Sequence, residues 1–323
     1  MRNANARSGH AADRRPWRAV AGLGVALALA GACSSSNSEV KPDGAAGTSG
    51  GGGTTGTGGT GVTPRSCDPR TTFTEASHLV VNVTWPAGLA SMSGSGQIHV
   101  WGKTAFTASG NALSGTLRAC GFVLPATTLS ALGGGGMILI EVPDTTWDAP
   151  SMPTFAVTGT QTSWDVPSTV SYNYSAVIGS SAADLQTADW PASYTGITMI
   201  TDAEGDLNPG LTSIPRSGGG YTQPPTSIAQ TARVDKLYVV IRNASSPMLT
   251  RTACDEASGP ATFMHLDNHV VGCHVGGGSD CMPSEINFVD SNRAIYTITS
   301  ATAQTKILPD TATCADVRAA LPM

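Results

Sequence analysis

The chain has 323 residues, a formal net charge of −5 and only 13% charged side chains. Lysine is scarce and acidic residues outnumber basic ones, which excludes the basic face that nucleic-acid binding requires. Abundant Gly, Ser and Thr suit an exported β protein with polar outer faces.

The first element is an export signal. Arg14, Arg15 and Arg18 precede an apolar run from Ala19 to Ala32. That run is shorter than the about 20 residues that span a hydrocarbon core. A basic start, a short apolar stretch and small residues at its end read as a secretory signal. Leu29-Ala30-Gly31-Ala32-Cys33 resembles the lipobox of bacterial lipoproteins, departing from it at Ala30, where the family carries Leu. The resemblance implies cleavage before Cys33 and acylation of that cysteine. Ser34 follows, not Asp, which implies an outer-membrane location facing the periplasm or the cell exterior. Several acyl chains on one residue hold far more tightly than one myristoyl chain. Cleavage by the ordinary signal peptidase, with Cys33 incidental, is the alternative.

Residues 34–64 are a low-complexity stretch that includes Gly50 to Gly53 and Thr54 to Gly61. Almost nothing in it can be buried, so it reads as a flexible tether. Its expected reach is on the order of 30 Å. The expected organisation is a signal at 1–32, a lipidated tether at 33–64 and one all-β domain at 65–323. Without the signal, 13 basic and 22 acidic residues remain.

Period-two alternation dominates the domain. Leu79, Val81, Val83 and Trp85 alternate with His78, Val80, Asn82 and Thr84. Val170, Tyr172, Tyr174, Ala176 and Ile178 alternate with Thr169, Ser171, Asn173, Ser175 and Val177. Further strands are expected at Gln97–Trp101, Met137–Val142, Phe155–Gln161, Gly196–Thr201, Leu237–Arg242, Thr262–Leu266, Val270–Val275 and Ala294–Thr299. Turn signals lie at Ser93 to Gly96, Gly133 to Gly136, Ser217 to Gly220 and Asp267-Asn268. A helical turn is expected at Thr127–Leu132, and a C-terminal helix at Cys314–Leu321, N-capped by Thr313 and stopped by Pro322. No long helices separate the strands, which excludes parallel βαβ units. The expected fold is a single antiparallel β-barrel or sandwich of about ten strands. Trp147-Asp148-Ala149-Pro150-Ser151 echoes Trp164-Asp165-Val166-Pro167-Ser168, and Trp85-Pro86-Ala87 echoes Trp190-Pro191-Ala192. Both echoes are too short to define a repeat.

Six cysteines follow Cys33: Cys67, Cys120, Cys254, Cys273, Cys281 and Cys314. In an exported chain an even count reads as three disulfides, with 15 possible pairings. Cys273 and Cys281 flank Gly276 to Gly278 and form the best-placed pair. Cys67 and Cys314 lie at opposite ends and would close the domain. No Cys-x-x-Cys spacing supports metal ligation.

Four places invite chemistry. Asp202, Glu204, Asp206 and Asn208 put oxygens at every second position and could wrap Ca²⁺. The EF-hand pattern fails at Leu207 and Ser213, where Gly and Glu belong. The segment resembles Pro-Gly-terminated acidic turns of bacterial surface lipoproteins, which carry no known activity. A solvated turn bonding its own backbone is the alternative. His265, Asp267 and His269, with His274 nearby, would share a strand face able to seat Zn²⁺, unless Asp267-Asn268 turns. Asp144, Asp148 and Asp165 near Trp147 and Trp164 offer a glycosidase-like pairing, or simply Trp packing at strand ends. Arg118 and Arg242 lie in strand-like runs, to bridge carboxylates within a barrel or to face solvent. The domain at 65–323 has no Gly-x-Ser-x-Gly elbow.

The leading expectation is a surface-anchored, non-catalytic binding protein, holding a small apolar ligand in a barrel as lipocalin-type barrels do. No lipocalin Gly-x-Trp signature precedes the first strand. A structural or adhesive surface module steadied by calcium, with a surface glycan as partner, is the second. An exported hydrolase is the third. The signal reading is checked by labelling cells with a radioactive fatty acid. Label is expected in the wild type and lost in Cys33→Ala; a mature N-terminus elsewhere than Cys33 would refute it.

Overall fold

A computed structural model describes residues 64–86, 93–125, 127–129, 136–138, 140–215, 234–275, 279–291, 293 and 295–323. The signal, nearly all of the tether, and the turn signals at 133–135 and 217–220 lie outside them.

Twelve strands are formed: β1 (Thr72–Trp85), β2 (Gly94–Ser109), β3 (Ala112–Val123), β4 (Thr127–Leu129), β5 (Gly136–Ile138), β6 (Ile140–Glu141), β7 (Thr154–Gln161), β8 (Thr169–Ile178), β9 (Leu211–Pro215), β10 (Val234–Ala253), β11 (Glu256–Val275) and β12 (Thr297–Leu308). Two helices accompany them, α1 (Pro283–Ser291) and α2 (Cys314–Ala320). All strand ladders are antiparallel, as expected for an all-β chain. Eight strands pair in a closed circuit, β1-β2-β3-β7-β8-β10-β11-β12 and back to β1. The circuit forks between β3 and β10. Near one end β7 and β8 bridge the gap, and at the other β6 and β9 do so, with Val123 opposite Glu141 and Leu237 opposite Ser213. The sheet is therefore not a simple barrel.

Alternation explains the core. Phe73, Leu79, Val81, Val83 and Trp85 of β1 point into the circuit and are buried. Phe73 and Leu79 cluster with Phe106 of β2, Leu113 of β3 and Tyr172 and Tyr174 of β8, and Val81, Val83 and Trp85 with Ile98 of β2 and Ala301 of β12. The opposite face of β1 is covered too, since Ala76 packs with Val317 and Leu321 of α2. On β8 the break in alternation at Val177 has a cause. The segment 182–197 crosses there and buries Val177 with Ala182, Leu185 and Ile197. The continuous apolar run of β10 is covered on both faces for the same reason.

Helix α2 forms as its sequence dictates. The Thr313 hydroxyl accepts from the Asp316 N–H at 3.3 Å, and the Asp316 carboxylate accepts from the Thr313 N–H at 2.8 Å. This is a reciprocal capping box. The cap also holds the Asp316 carboxyl below the usual range, through the backbone hydrogen bond first.

Several expectations are corrected. Asp267-Asn268 does not turn; it lies mid-strand in β11, opposite Arg242 and Ile241. The two short strands expected there are one strand of 20 residues. Gly94 to Gly96 belong to β2 instead of a turn. A Cβ at Gly94 would collide with the Trp85 ring, so glycine there makes room for the indole. Thr127–Leu129 pairs with Gly136–Ile138 as strand, not as a helical turn. Gly196–Thr201 yields a 3-10 turn at Tyr194–Gly196 and a single bridge from Ile200 to Ser180. Helix α1 was not expected. Its signals were Pro283 at the first helical position and Glu285, whose carboxylate accepts from the Met282 N–H at 2.7 Å.

The three disulfides are Cys273–Cys281, as expected, Cys67–Cys254 and Cys120–Cys314. Cys67 and Cys314 do not pair. Helix α2 sets Cys314 on the outer side of β3, with Cα atoms 4.8 Å apart at Cys120. Backbone pairing of Arg65 with Val166 leads Cys67 toward the β10–β11 turn and Cys254.

Removing Cys120–Cys314 by double serine substitution is expected to cost about 2–5 kcal/mol in denaturant unfolding. Removing Cys273–Cys281, which closes a separation of 8 against 194 residues, is expected to cost less. Equal costs would mean that native strain, not chain restriction, sets the effect.

Candidate functional site

The interior of the circuit carries a column of buried polar groups. Glu75 and Ser77 stand in phase with Leu79 on β1 and so point inward with it. Tyr172 reaches across from β8 and donates its hydroxyl to Glu75 Oε2 at 2.9 Å. Its ring stacks on Phe106 at 5.2 Å. Below them Arg251 donates to Gln161 Oε1 at 3.1 Å and to the Cys254 carbonyl at 3.2 Å, with its guanidinium over Trp164. Burial pushes the Glu75 carboxyl up to about 7, against the opposing pull of the Tyr172 hydroxyl, Arg251 and Thr305. Burial also raises the Tyr172 and Tyr174 phenols well above their usual range, helped by the Glu75 charge.

Above this layer lies a cavity of about 50 Å³. Cross-strand register defines one wall. Tyr174 faces Ser245, Ala176 faces Asn243 and Ile178 faces Ile241 across the β8–β10 ladder. The surface facing the cavity is almost wholly apolar. Gly102, Ala119, Gly121, Phe122 and Trp147 border it too. The Tyr174 hydroxyl lies against the Ser77 side chain. Ser245 Oγ and Asn243 Oδ1 are buried, closed off from the cavity and without a protein hydrogen-bond partner. Glu75 Oε1, Thr104 Oγ1 and Arg251 Nε are in the same condition nearer Glu75.

The sequence-derived sites fall elsewhere. In the 202–208 loop, Asp202 accepts from the N–H groups of Gly205, Asp206 and Leu207 at 2.6, 3.2 and 2.7 Å. Asp206 accepts from the Asn208 N–H at 2.9 Å and the Thr212 hydroxyl at 2.8 Å. Glu204 accepts from the Thr212 N–H at 2.5 Å. The side chains fasten the loop to itself, holding Leu207 at φ +70° and 94% exposed. This is the self-bonded arrangement of an Asx-type turn. Among the described residues, no group of three or more His, Cys, Asp or Glu is arranged to hold a metal ion.

His265, Asp267 and His269 lie on one strand as alternation requires; His265 Nδ1 is 3.8 Å from Asp267, while Asp267 and His269 are engaged by other elements. Asp267 binds Arg242 at 2.6 Å. Arg242 also donates to the Leu185 and Ala188 carbonyls, so it fastens the 182–197 segment outside the circuit. His269 Nδ1 sits 2.8 Å from Asp290 on α1, and its Nε2 lies 2.8 Å from the Pro191 carbonyl. His274 pairs with Asp235 at 2.7 Å. Arg118 donates to the carbonyls of Trp147 and Ala149. Asp144 faces Arg318, Asp148 accepts from the Cys314 N–H, and Asp165 accepts from Ser66. The two echoing Trp-Asp motifs therefore lie on either side of β7, and their carboxylates serve different elements.

Sequence reading missed Glu75, Gln161, Arg251, Ser245 and the pair His78 and His99. Extending the β1 alternation back from Leu79 finds Glu75 on the inner face. The His78 Nε2 and His99 Nδ1 atoms are 3.0 Å apart on the outer face, with His78 stacked 4.5 Å from the Trp101 ring. Burial, then the neighbouring His99, pushes His78 down to about 4.

These shifts set opposite pH dependences. Glu75 is raised on folding, so its contribution is full below about 4.5 and is lost as pH rises through about 7. The loss is about 3 kcal/mol. His78 is lowered on folding, so its contribution is full above 6.5 and is lost as pH falls through about 4. Between about pH 4.5 and 6.5 the two slopes oppose, so the wild-type melting temperature is expected to change little there and to level off above about pH 7, whereas in Glu75→Gln it is expected to rise with pH up to about 6.5 and then stay flat. A calcium titration checks the 202–208 loop. A melting-temperature rise abolished by Asp202→Ala with Asp206→Ala supports an ion there; no rise in the wild type removes it.

No protein family, curated protein or solved structure matches the chain.

Proposed function

We propose that the protein is a lipid-anchored, non-catalytic binding module of the bacterial outer envelope. Its anchor is Cys33, its tether runs to residue 64, and its binding element is the interior of the disulfide-clamped circuit. One observation supports the reading: a cavity of about 50 Å³ inside the circuit, with almost wholly apolar walls that include Leu79, Val100, Ile178 and Ile241. At about 50 Å³ the cavity is far smaller than the roughly 300–1,000 Å³ of pockets for drug-sized ligands. The expected apolar barrel ligand therefore narrows to a small one.

A structural surface module is the second reading. It is favoured by the aromatic filling of the rest of the interior and by the three disulfides. The hydrolase reading has least support, because Asp144, Asp148 and Asp165 are engaged by separate elements.

Native mass spectrometry of the protein extracted from envelopes without chelator separates these readings. Extra mass of a small organic molecule over the denatured mass is expected. A bare protein under gentle extraction would turn the assignment to the structural module.

A further inference from the structure

We propose that the 199–210 segment is a docking finger for a protein partner, which receives the Leu207 side chain in an apolar pocket rimmed by basic groups. The finger shares no residue with the cavity inside the circuit.

The backbone carries the first observation. Among the described residues two that are not glycine adopt positive φ, Met199 at +51° and Leu207 at +70°. Left-handed backbone is disfavoured for residues with a Cβ, and is an outlier for bulky ones. Both side chains are apolar and exposed, as is Ile200 beside Met199. At 94% exposure Leu207 adds almost no packing to its own fold. It therefore weakens the fold twice, through its backbone and through apolar surface left in water. Strain of this kind collects at functional positions, where the surrounding structure enforces it.

The enforcement is visible. The Thr201 N–H donates to the Gly179 carbonyl at 2.9 Å, and the Gly210 N–H to the Thr201 carbonyl at 2.8 Å. These bonds tie the two stems to each other and to the end of β8. Between the stems, the Asp202 carboxylate takes the N–H of Leu207 itself at 2.7 Å. A finger fixed before contact loses little further freedom on binding.

Charge and topology define the partner. Asp206 in the finger, and Asp235 and Asp280, are exposed. They converge on the Tyr238 phenol, which burial first, and then the charges of Asp280, Asp206 and Asp235, push up to about 12. Lys236 faces Asp206 and leaves the surface acidic on balance. An apolar knob with an acidic surround complements an apolar pocket with a basic rim, and is repelled by anionic lipid headgroups. Arg65, next to the tether, exchanges backbone hydrogen bonds with Val166, just before β8. The finger is tied to Gly179, just after it. The 10 residues of β8 between them span about 30 Å. In the anchored arrangement proposed above, the finger stands at the end of β8 away from the tether.

Two measurements test the proposal. Asn tolerates left-handed backbone, so Leu207→Asn is expected to leave the melting temperature of the mature protein unchanged or raised. A fall would show that Leu207 serves its own fold, and would overturn the proposal. For the partner, a benzophenone side chain is placed at Thr201, exposed beside the finger, in the full chain in its own cells. Ser114, exposed on β3, is the control position. Irradiation is expected to give a protein adduct from position 201 that position 114 lacks. The captured protein, identified and purified, is then titrated directly with wild type and Leu207→Asp. Leu207→Asp is expected to weaken binding at least about tenfold. Raising salt from about 0.05 to 0.5 M is expected to weaken wild-type binding too.

No adduct specific to position 201 would overturn the proposal. So would an adduct with lipid or with a second copy of the chain, or binding indifferent to Leu207→Asp. Binding that needs Leu207 but ignores salt would overturn the basic rim.

Discussion

Closure of the strand circuit depends on β11, which serves two neighbours at once. Its first five residues, Glu256 to Pro260, pair with β12, while its length pairs with β10. Without that shared stretch, β11 and β12 would each present an open edge. Unpaired edges template association with other chains. Gly259 sits where the two ladders meet, and a Cβ there would strike the backbone of Met248. The close approach of β10 and β11 thus requires a glycine at this point. Everything inside the circuit, from the Arg251–Trp164 contact to the Tyr174–Ser245 wall, is positioned by that closure.

The interior is organised by depth. At one level Glu75, Tyr172, Gln161 and Arg251 form a charged layer stacked on aromatic rings. At the next, Tyr174 and Ser245 stand beside a small cavity with almost wholly apolar walls. Outside the circuit a second set of polar contacts does mechanical work. Arg242, Asp267, His269 and Asp290 fasten α1 and the 182–197 segment to β10 and β11.

What could be read from the sequence follows the range of each interaction. Local periodicity located β8 and the second half of β1 because their neighbours impose a two-residue period and nothing else. Thr313 was legible as an N-cap because what it caps lies within one turn; its reciprocal partner Asp316 came from the structure. Asp267-Asn268 misled because the residue that keeps Asp267 in a strand is Arg242, on another strand. Gly94 misled because the indole it accommodates belongs to β1. In the candidate site, Glu75, Tyr172 and Tyr174 were within reach of alternation. Their assembly with Arg251 and Ser245 was not, since it arises only when β10 is laid against β8. The disulfide pairing was hidden for the same reason: two of the three bonds join residues 187 and 194 positions apart.

Those two long-range bonds impose an order on maturation. In a chain exported as proposed, the N-terminal part emerges first. Cys67 and Cys120 then enter the oxidising compartment together, while Cys254 and Cys314, their partners, are still to come. The early pair can oxidise with each other before β10, β11 or α2 exists to hold them apart. Where that premature bond forms, the native pairs are reached by thiol–disulfide exchange: the thiolate of Cys254 or Cys314 attacks its own partner's sulfur and the other cysteine leaves as a thiolate, free to pair in turn. The Cys273–Cys281 bond, closed between near neighbours, lies outside that exchange.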